Sequence, residues 1–163
     1  MPNIFLGLGS NIGNRGENIS KAIEFIKNIS GSEFLRCSSF YESAPWGNEF
    51  QNNFINCVVE INTEIAPEEL FLILKDIEIK CGRKKREKWA EREIDIDILF
   101  YGDLIFEKQD FYIPHKEICN RNFVLIPMNE LAPDLIHPVC KKNISEILAE
   151  TGDRLECRKI NFN

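Results

Sequence analysis

The apolar positions along the chain follow two alternating periods. An apolar run over residues 3–8, closing in Gly7-Leu8-Gly9-Ser10-Asn11, predicts a buried strand that enters a tight turn. Ile19, Ala22, Ile23, Ile26 and Ile29 then recur at three- and four-residue steps, the stripe of an amphipathic helix, with Gly31 placed to end it. A second strand is expected over residues 33–42, and a polar loop with Pro45 and Gly47 over residues 43–53. Strand character resumes over 54–65, where Cys57, Val59 and Ile61 alternate with Val58, Glu60 and Asn62. Pro67-Glu68-Glu69 suits a helix start, since proline fits the first turn and acids suit the positive end of the dipole. Leu70, Ile73, Leu74 and Ile77 give that helix its apolar stripe and Gly82 its stop, and a fourth strand is expected over 93–101.

Strand, helix, strand, strand, helix, strand is the ferredoxin-like β-α-β-β-α-β order. It predicts an α+β fold in which an antiparallel sheet carries both helices on one face. Residues 103–163 form a C-terminal extension, with a helix expected over 143–151 and an edge strand over 154–160. Without repeats, low-complexity tracts or linkers, residues 1–163 read as a single domain. This fold hosts many activities, so function must come from the site.

Composition removes several classes of function. A net charge of −6 argues against general nucleic-acid or anionic-membrane binding, because the phosphate term is repulsive overall. The N-terminus lacks a basic leader with a sustained apolar stretch, and no apolar run approaches the ~20 residues of a membrane span, so a cytoplasmic protein is expected. Cys37, Cys57, Cys81, Cys119, Cys140 and Cys157 form no Cys-x-x-Cys pair and read as separate reduced thiols. Neither His115 nor His137 has a metal-ligand partner at helical spacing.

The candidate chemistry centres on Arg92-Glu93-Ile94-Asp95-Ile96-Asp97-Ile98-Leu99. Along a strand Ile94, Ile96 and Ile98 share one face and Asp95 and Asp97 the other, with the two acids about 6.5–7 Å apart at the backbone. Two such carboxylates repel unless a cation bridges them, and magnesium prefers carboxylate oxygens while leaving room for phosphates. The alternative is a solvent-facing strand that happens to carry two acids. Residues 83–92 precede the pair with six basic and two acidic residues, either a solvated charged loop or the cations that a polyphosphate needs. Trp89 within it suits a lid anchor or a cover for a nucleotide base. Gly7-Leu8-Gly9-Ser10-Asn11-Ile12-Gly13 has neither dinucleotide nor P-loop spacing, and a tight turn is its better reading.

Together these segments resemble the 6-hydroxymethyl-7,8-dihydropterin pyrophosphokinase family of folate biosynthesis. The resemblance runs from Phe5 to about Pro138 and is carried by four motifs. These are Gly9-Ser10-Asn11; Tyr41-Glu42-Ser43-Ala44-Pro45-Trp46-Gly47; Lys88-Trp89-Ala90-Glu91-Arg92-Glu93-Ile94-Asp95-Ile96-Asp97-Ile98-Leu99; and Pro114-His115 with Asn120-Arg121-Asn122-Phe123. It implies transfer of pyrophosphate from ATP to the pterin hydroxymethyl group with release of AMP. Asp95 and Asp97 would hold two Mg2+ ions, and Arg83 and Arg92 would act with them in catalysis. It implies a pterin site of Ser43, Ala44, Trp46, Phe54, Asn56 and Phe123. It implies nucleotide contacts from Glu78, Arg83, Lys85, Lys88, Trp89, Arg92, Ile98, His115 and Arg121. Only small-molecule partners and a monomer are expected. Ala90-Glu91 stands where the family often has Gly-Pro, Asn52-Asn53 where it often has Pro-Asp, and Lys85 and Lys88 where arginine is frequent. Two rival readings are a phospho- or nucleotidyltransferase with another acceptor, and a non-catalytic binding module.

Overall fold

The first apolar run forms β1 (Asn3–Ser10), two residues longer than the expected strand. The computed structural model describes residues 1–47 and 49–161, so residue 48 of the expected 43–53 loop lies outside the described residues. Asn14 caps α1 (Arg15–Lys27) by accepting from the Glu17 amide at 3.1 Å, and Ile19, Ala22, Ile23 and Ile26 are its buried stripe.

The strand expected over 33–42 is two strands, β2 (Ser32–Cys37) and β3 (Phe40–Ser43). Ser38 makes the break: its Oγ takes the Val58 amide at 2.9 Å while its own amide donates to the Val58 carbonyl at 2.8 Å. The Ser39 amide turns out of the ladder to Glu130 Oε1 at 2.8 Å. Both strands pair with β4 (Phe54–Thr63), β2 along its C-terminal part and β3 along its N-terminal part. After α2 (Pro67–Lys80), β5 runs over Asp95–Tyr101. A hairpin of β6 (Phe106–Lys108) and β7 (Phe111–Ile113) and a 3-10 turn at Ile118–Asn120 lead to α3 (Asn122–Leu131). The chain continues through α4 (Ile144–Glu150) to β8 (Cys157–Ile160).

The main sheet has the order β5-β1-β4-β3-β8, with β2 also on β4, and every pairing in it is antiparallel. Helices α1 and α2 cover one face, where Ile4, Leu6, Leu8, Cys57, Val59, Ile61, Ile94, Ile96 and Ile98 meet Ile19, Ile26, Leu70, Leu74 and Ile77. The C-terminal extension covers the other, packing Ile118, Leu125, Met128, Leu131, Ile144 and Ile147 on Phe5, Val58, Leu99 and Phe100. The ferredoxin-like expectation therefore holds, with α3 and α4 as a second apolar layer.

Candidate functional site

Strand alternation builds the site on the face that α3 covers. Ile94, Ile96 and Ile98 point into the α1/α2 core, which turns Asp95 and Asp97 the other way. Across the β1–β5 ladder Asp95 stands opposite Gly9 and Asp97 opposite Gly7. Paired residues project to the same face, so two glycines leave the space beside both carboxylates open. A Cβ on Gly9 would lie 3.0 Å from Asn56 Oδ1, and one on Gly7 3.2 Å from Leu99 Cδ2. Neither glycine makes the expected turn; both belong to β1, and what matters is the missing side chain.

The two acids have different surroundings. Arg83 Nη1 donates to Asp95 Oδ1 at 2.9 Å and Arg92 Nη1 to Oδ2 at 2.8 Å. Burial works against ionising Asp95, but Arg92, Lys75 and Arg83 outweigh it and hold the carboxyl below its ordinary range. The Asp97 carboxylate takes part in no hydrogen bond or ion pair among the described residues. Burial, then the charge of Asp95, pushes it up to about 7.

Behind the strand, Glu78 on α2 is buried and fully engaged. It accepts from the Ile96 amide at 2.7 Å, from Lys75 Nζ at 2.8 Å and from Arg83 Nη1 at 2.7 Å. Lys75 also donates to the Ile96 carbonyl at 3.2 Å. The peptide of Ile96 thus points away from β1, and the two-residue period turns the Ile98 peptide the same way. The Ile98 side chain is in the core and lines neither of the two cavities described next.

One pocket brings Ser43, Ala44, Trp46, Phe54, Asn56 and Phe123 together with Asp95 and Asp97. Asn56 Nδ2 donates to Ser43 Oγ at 2.8 Å, which fixes the amide and leaves polar capacity toward the pocket. Trp89, Arg92 and Arg121 line the same pocket. Glu78, Arg83, Lys85 and Lys88 line an adjoining cleft under the 83–92 loop, to which Trp89 and Arg92 also belong. His115 lines neither; its amide donates to the Leu99 carbonyl at 3.0 Å and its Nδ1 accepts from the Glu117 amide at 3.3 Å. Burial, then the nearby Arg121, lowers its pKa and keeps the ring neutral.

Several residues at the site escaped the sequence reading. Buried Asn11 donates to Gln51 Oε1 at 3.2 Å and to the Asn52 carbonyl at 3.3 Å, and accepts from the Arg92 amide at 2.9 Å. Gln51 Nε2 donates to the Trp89 carbonyl, and Asn52 Nδ2 to Glu91 Oε1 at 3.3 Å. The loops before β4 and before β5 therefore meet over the pocket. Arg86 grips Glu93 at 2.8 and 2.7 Å, and this bond holds the Glu93 carboxyl at about 2. Lys75 could have been noticed three residues before Glu78 on one helix; Asn11 was read within the Gly9-Ser10-Asn11 motif, but without a role of its own.

With this geometry in place, comparison with known proteins is specific. A family described as 7,8-dihydro-6-hydroxymethylpterin-pyrophosphokinase matches residues 5–133. The 2-amino-4-hydroxy-6-hydroxymethyldihydropteridine pyrophosphokinase of Aquifex aeolicus is 42% identical over 150 residues, 92% of each chain. The protein of that name from Haemophilus influenzae is 36% identical over 149 residues, 91% of this chain and 92% of its own. Among solved structures, wild-type Plasmodium falciparum HPPK-DHPS with pteroate superposes with a TM-score of 0.75 at 14% identity, over 91% of this chain. This chain spans 42% of that one, and the likeness is one of fold.

Proposed function

We propose how the residues divide the work in this chain, which belongs to the 7,8-dihydro-6-hydroxymethylpterin-pyrophosphokinase family. It transfers pyrophosphate from its co-substrate ATP to the hydroxymethyl group of 6-hydroxymethyl-7,8-dihydropterin, releasing AMP, in folate biosynthesis. The observation that carries the assignment of roles is the unpartnered Asp97 beside arginine-bound Asp95, in the same pocket as an aromatic and amide slot.

Asp95 and Asp97 fit magnesium. Asp97 is a half-buried carboxylate in no ion pair among the described residues, and the glycines opposite leave room beside it. No group of three or more His, Cys, Asp or Glu suited to a metal occurs among the described residues, so further ligands would come from the triphosphate and water. Two Mg2+ ions there would neutralise phosphate charge and acidify the pterin hydroxyl.

The protein's own groups bind and orient. Phe54 and Phe123 stack on the pterin, Asn56 reads its edge, and Ser43, Ala44 and Trp46 contribute backbone groups. Arg83 and Arg92 reach the phosphates from their station on Asp95, while Lys85, Lys88 and Arg121 add charge. Glu78 acts through Arg83 by holding its guanidinium. The outward peptide of Ile98 and the neutral ring of His115 suit the nucleotide, and Trp89 closes over it. Apart from the two aspartates, no carboxylate and no histidine among the described residues lines the pocket. Positioning and electrostatics then supply the rate.

The test is an assay with ATP, magnesium and 6-hydroxymethyl-7,8-dihydropterin. AMP and the pterin diphosphate are the expected products, and ADP would overturn the reading. Asp95→Ala and Asp97→Ala should abolish most turnover while leaving a folded protein by circular dichroism. An active monomer is expected; sedimentation of active protein at a dimer mass would refute that. No helix among the described residues is long and apolar enough to cross a membrane.

A further inference from the structure

Helix α3 begins at Asn122, and its start is one wall of the pocket, because Phe123 and Val124 line it. The first amides of a helix need acceptors from outside the helix. Arg121 stands at the capping position, and an arginine side chain carries no acceptor. The acceptor comes from the C-terminal tail instead. Asp153 Oδ2 accepts from the Asn122 amide at 2.7 Å, and the Asp153 carbonyl accepts from Asn122 Nδ2 at 3.2 Å. The carboxylate is itself held in place. Its Oδ1 accepts from the Leu155 amide at 2.9 Å, and the Asp153 amide donates to Thr151 Oγ1 at 3.3 Å. Further along, Cys157 enters β8 opposite Ser43 of β3, and Ser43 stands opposite Phe54 of β4. Residues 153–157 therefore tie the start of α3 to the strands that carry Ser43 and Phe54, the other wall of the same pocket. Asp153 lies beyond the motifs that carry the resemblance, which ends near Pro138.

We infer that Asp153 positions Phe123 for the pterin, so that the C-terminal tail is a working part of the slot. The inference rests on the pterin site proposed above. With the cap in place the first turn of α3 is closed, and Phe123 is held facing the strand that carries Phe54. A carboxylate suits this place twice, as an acceptor and as a negative charge at the positive end of the helix. Without it the turn frays, and only a fraction of the molecules presents both rings at once. Apparent affinity for the pterin falls by that fraction. Asp153 touches no substrate; it is a positioning residue.

The experiment is a steady-state cycle on the full chain with Asp153→Ala, Phe123→Ala and the double variant. Asp153→Ala should raise KM for the pterin about three- to thirtyfold, the range of one lost helix cap. KM for ATP and kcat should each stay within about threefold. Phe123→Ala should raise KM for the pterin at least as much. Adding Asp153→Ala to it should change that constant by no more than about twofold, since the cap acts through this ring. A general loosening of the fold would raise both KM values or add in full to Phe123→Ala. Either result overturns the inference, as does an unchanged KM for the pterin in Asp153→Ala. Should Asp153→Ala fail to fold, Asp153→Asn keeps an acceptor for the Asn122 amide but gives up the charge and one oxygen. It should raise KM for the pterin about two- to fivefold, and only where Phe123 is present; no rise overturns the inference too. If Phe123→Ala leaves KM for the pterin unchanged, the pterin slot itself is refuted, and the role of Asp153 with it.

Discussion

Asp97 and Gly9 carry the most specific consequences at the scale of single residues. In the metal-free fold the Asp97 carboxyl is pushed up to about 7, whereas an unfolded chain would give about 3.9. The folded state thus holds the proton more tightly, so its contribution is fully present below about pH 4 and is lost as pH rises through 7. Metal-free protein should accordingly lose stability from pH 5 to 8 in urea titrations. Asp97→Asn should flatten that slope while lowering kcat on the order of a thousandfold, the scale of lost metal assistance. A slope that persists in the variant would assign it to another group. At Gly9 a methyl group would meet Asn56 Oδ1 at 3.0 Å, with no positive φ to complicate the change. Gly9→Ala should therefore raise KM for the pterin about tenfold or more and leave KM for ATP within about twofold. The acids, the aromatic pair and the cations were legible from alternation and from the resemblance. The glycines were read as a turn, because a sequence does not say that the missing side chain faces a pocket.

Elements differ in how plainly the sequence announces them. Helices α1 and α2 show through because each buries one stripe, and β4 and β5 because their core residues alternate. The gap between β2 and β3 does not, since it depends on Ser38 and on Glu130, distant in the chain. Nor does α3: Pro127 sits inside it, and a helix-breaking residue hid the recurrence of Leu125, Met128 and Leu131. The two loops over the site are joined by bonds of unequal weight. Asn11 is buried and uses its amide on both loops, whereas Asn52 and Glu91 meet at the exposed rim at 3.3 Å. A buried polar group left unpaired costs about 1–3 kcal/mol, while an exposed bond exchanges readily with water. Asn11→Ala should consequently speed trypsin cleavage within residues 83–92 about tenfold and lower kcat/KM by about ten- to a hundredfold. Glu91→Ala should change either by less than about threefold. Equal effects would mean that the rim, not the buried amide, holds the loops together.

The whole molecule is a sheet covered twice, and the site lies where the second cover stops short. The first layer follows from the β-α-β-β-α-β order, while the second depends on a tail whose only plain helix signal was α4. That helix has seven residues, marginal in isolation, and is held by a capping box between Asn143 and Glu146 and by buried Ile144 and Ile147. It lines neither the pocket nor the adjoining cleft, whereas α3 sends Phe123 and Val124 into the pocket. The two helices should therefore fail differently. Ile144→Ala should cost about 2–4 kcal/mol in urea unfolding by leaving a cavity in the second core, yet keep kcat/KM within about twofold in buffer. Leu125→Ala should cost a similar amount and also raise KM for the pterin, because the residue under α3 sets where Phe123 stands. If Ile144→Ala damaged pterin binding as much as Leu125→Ala, the second layer would be acting as one rigid plate. The pocket would then depend on the whole extension, not on α3 alone.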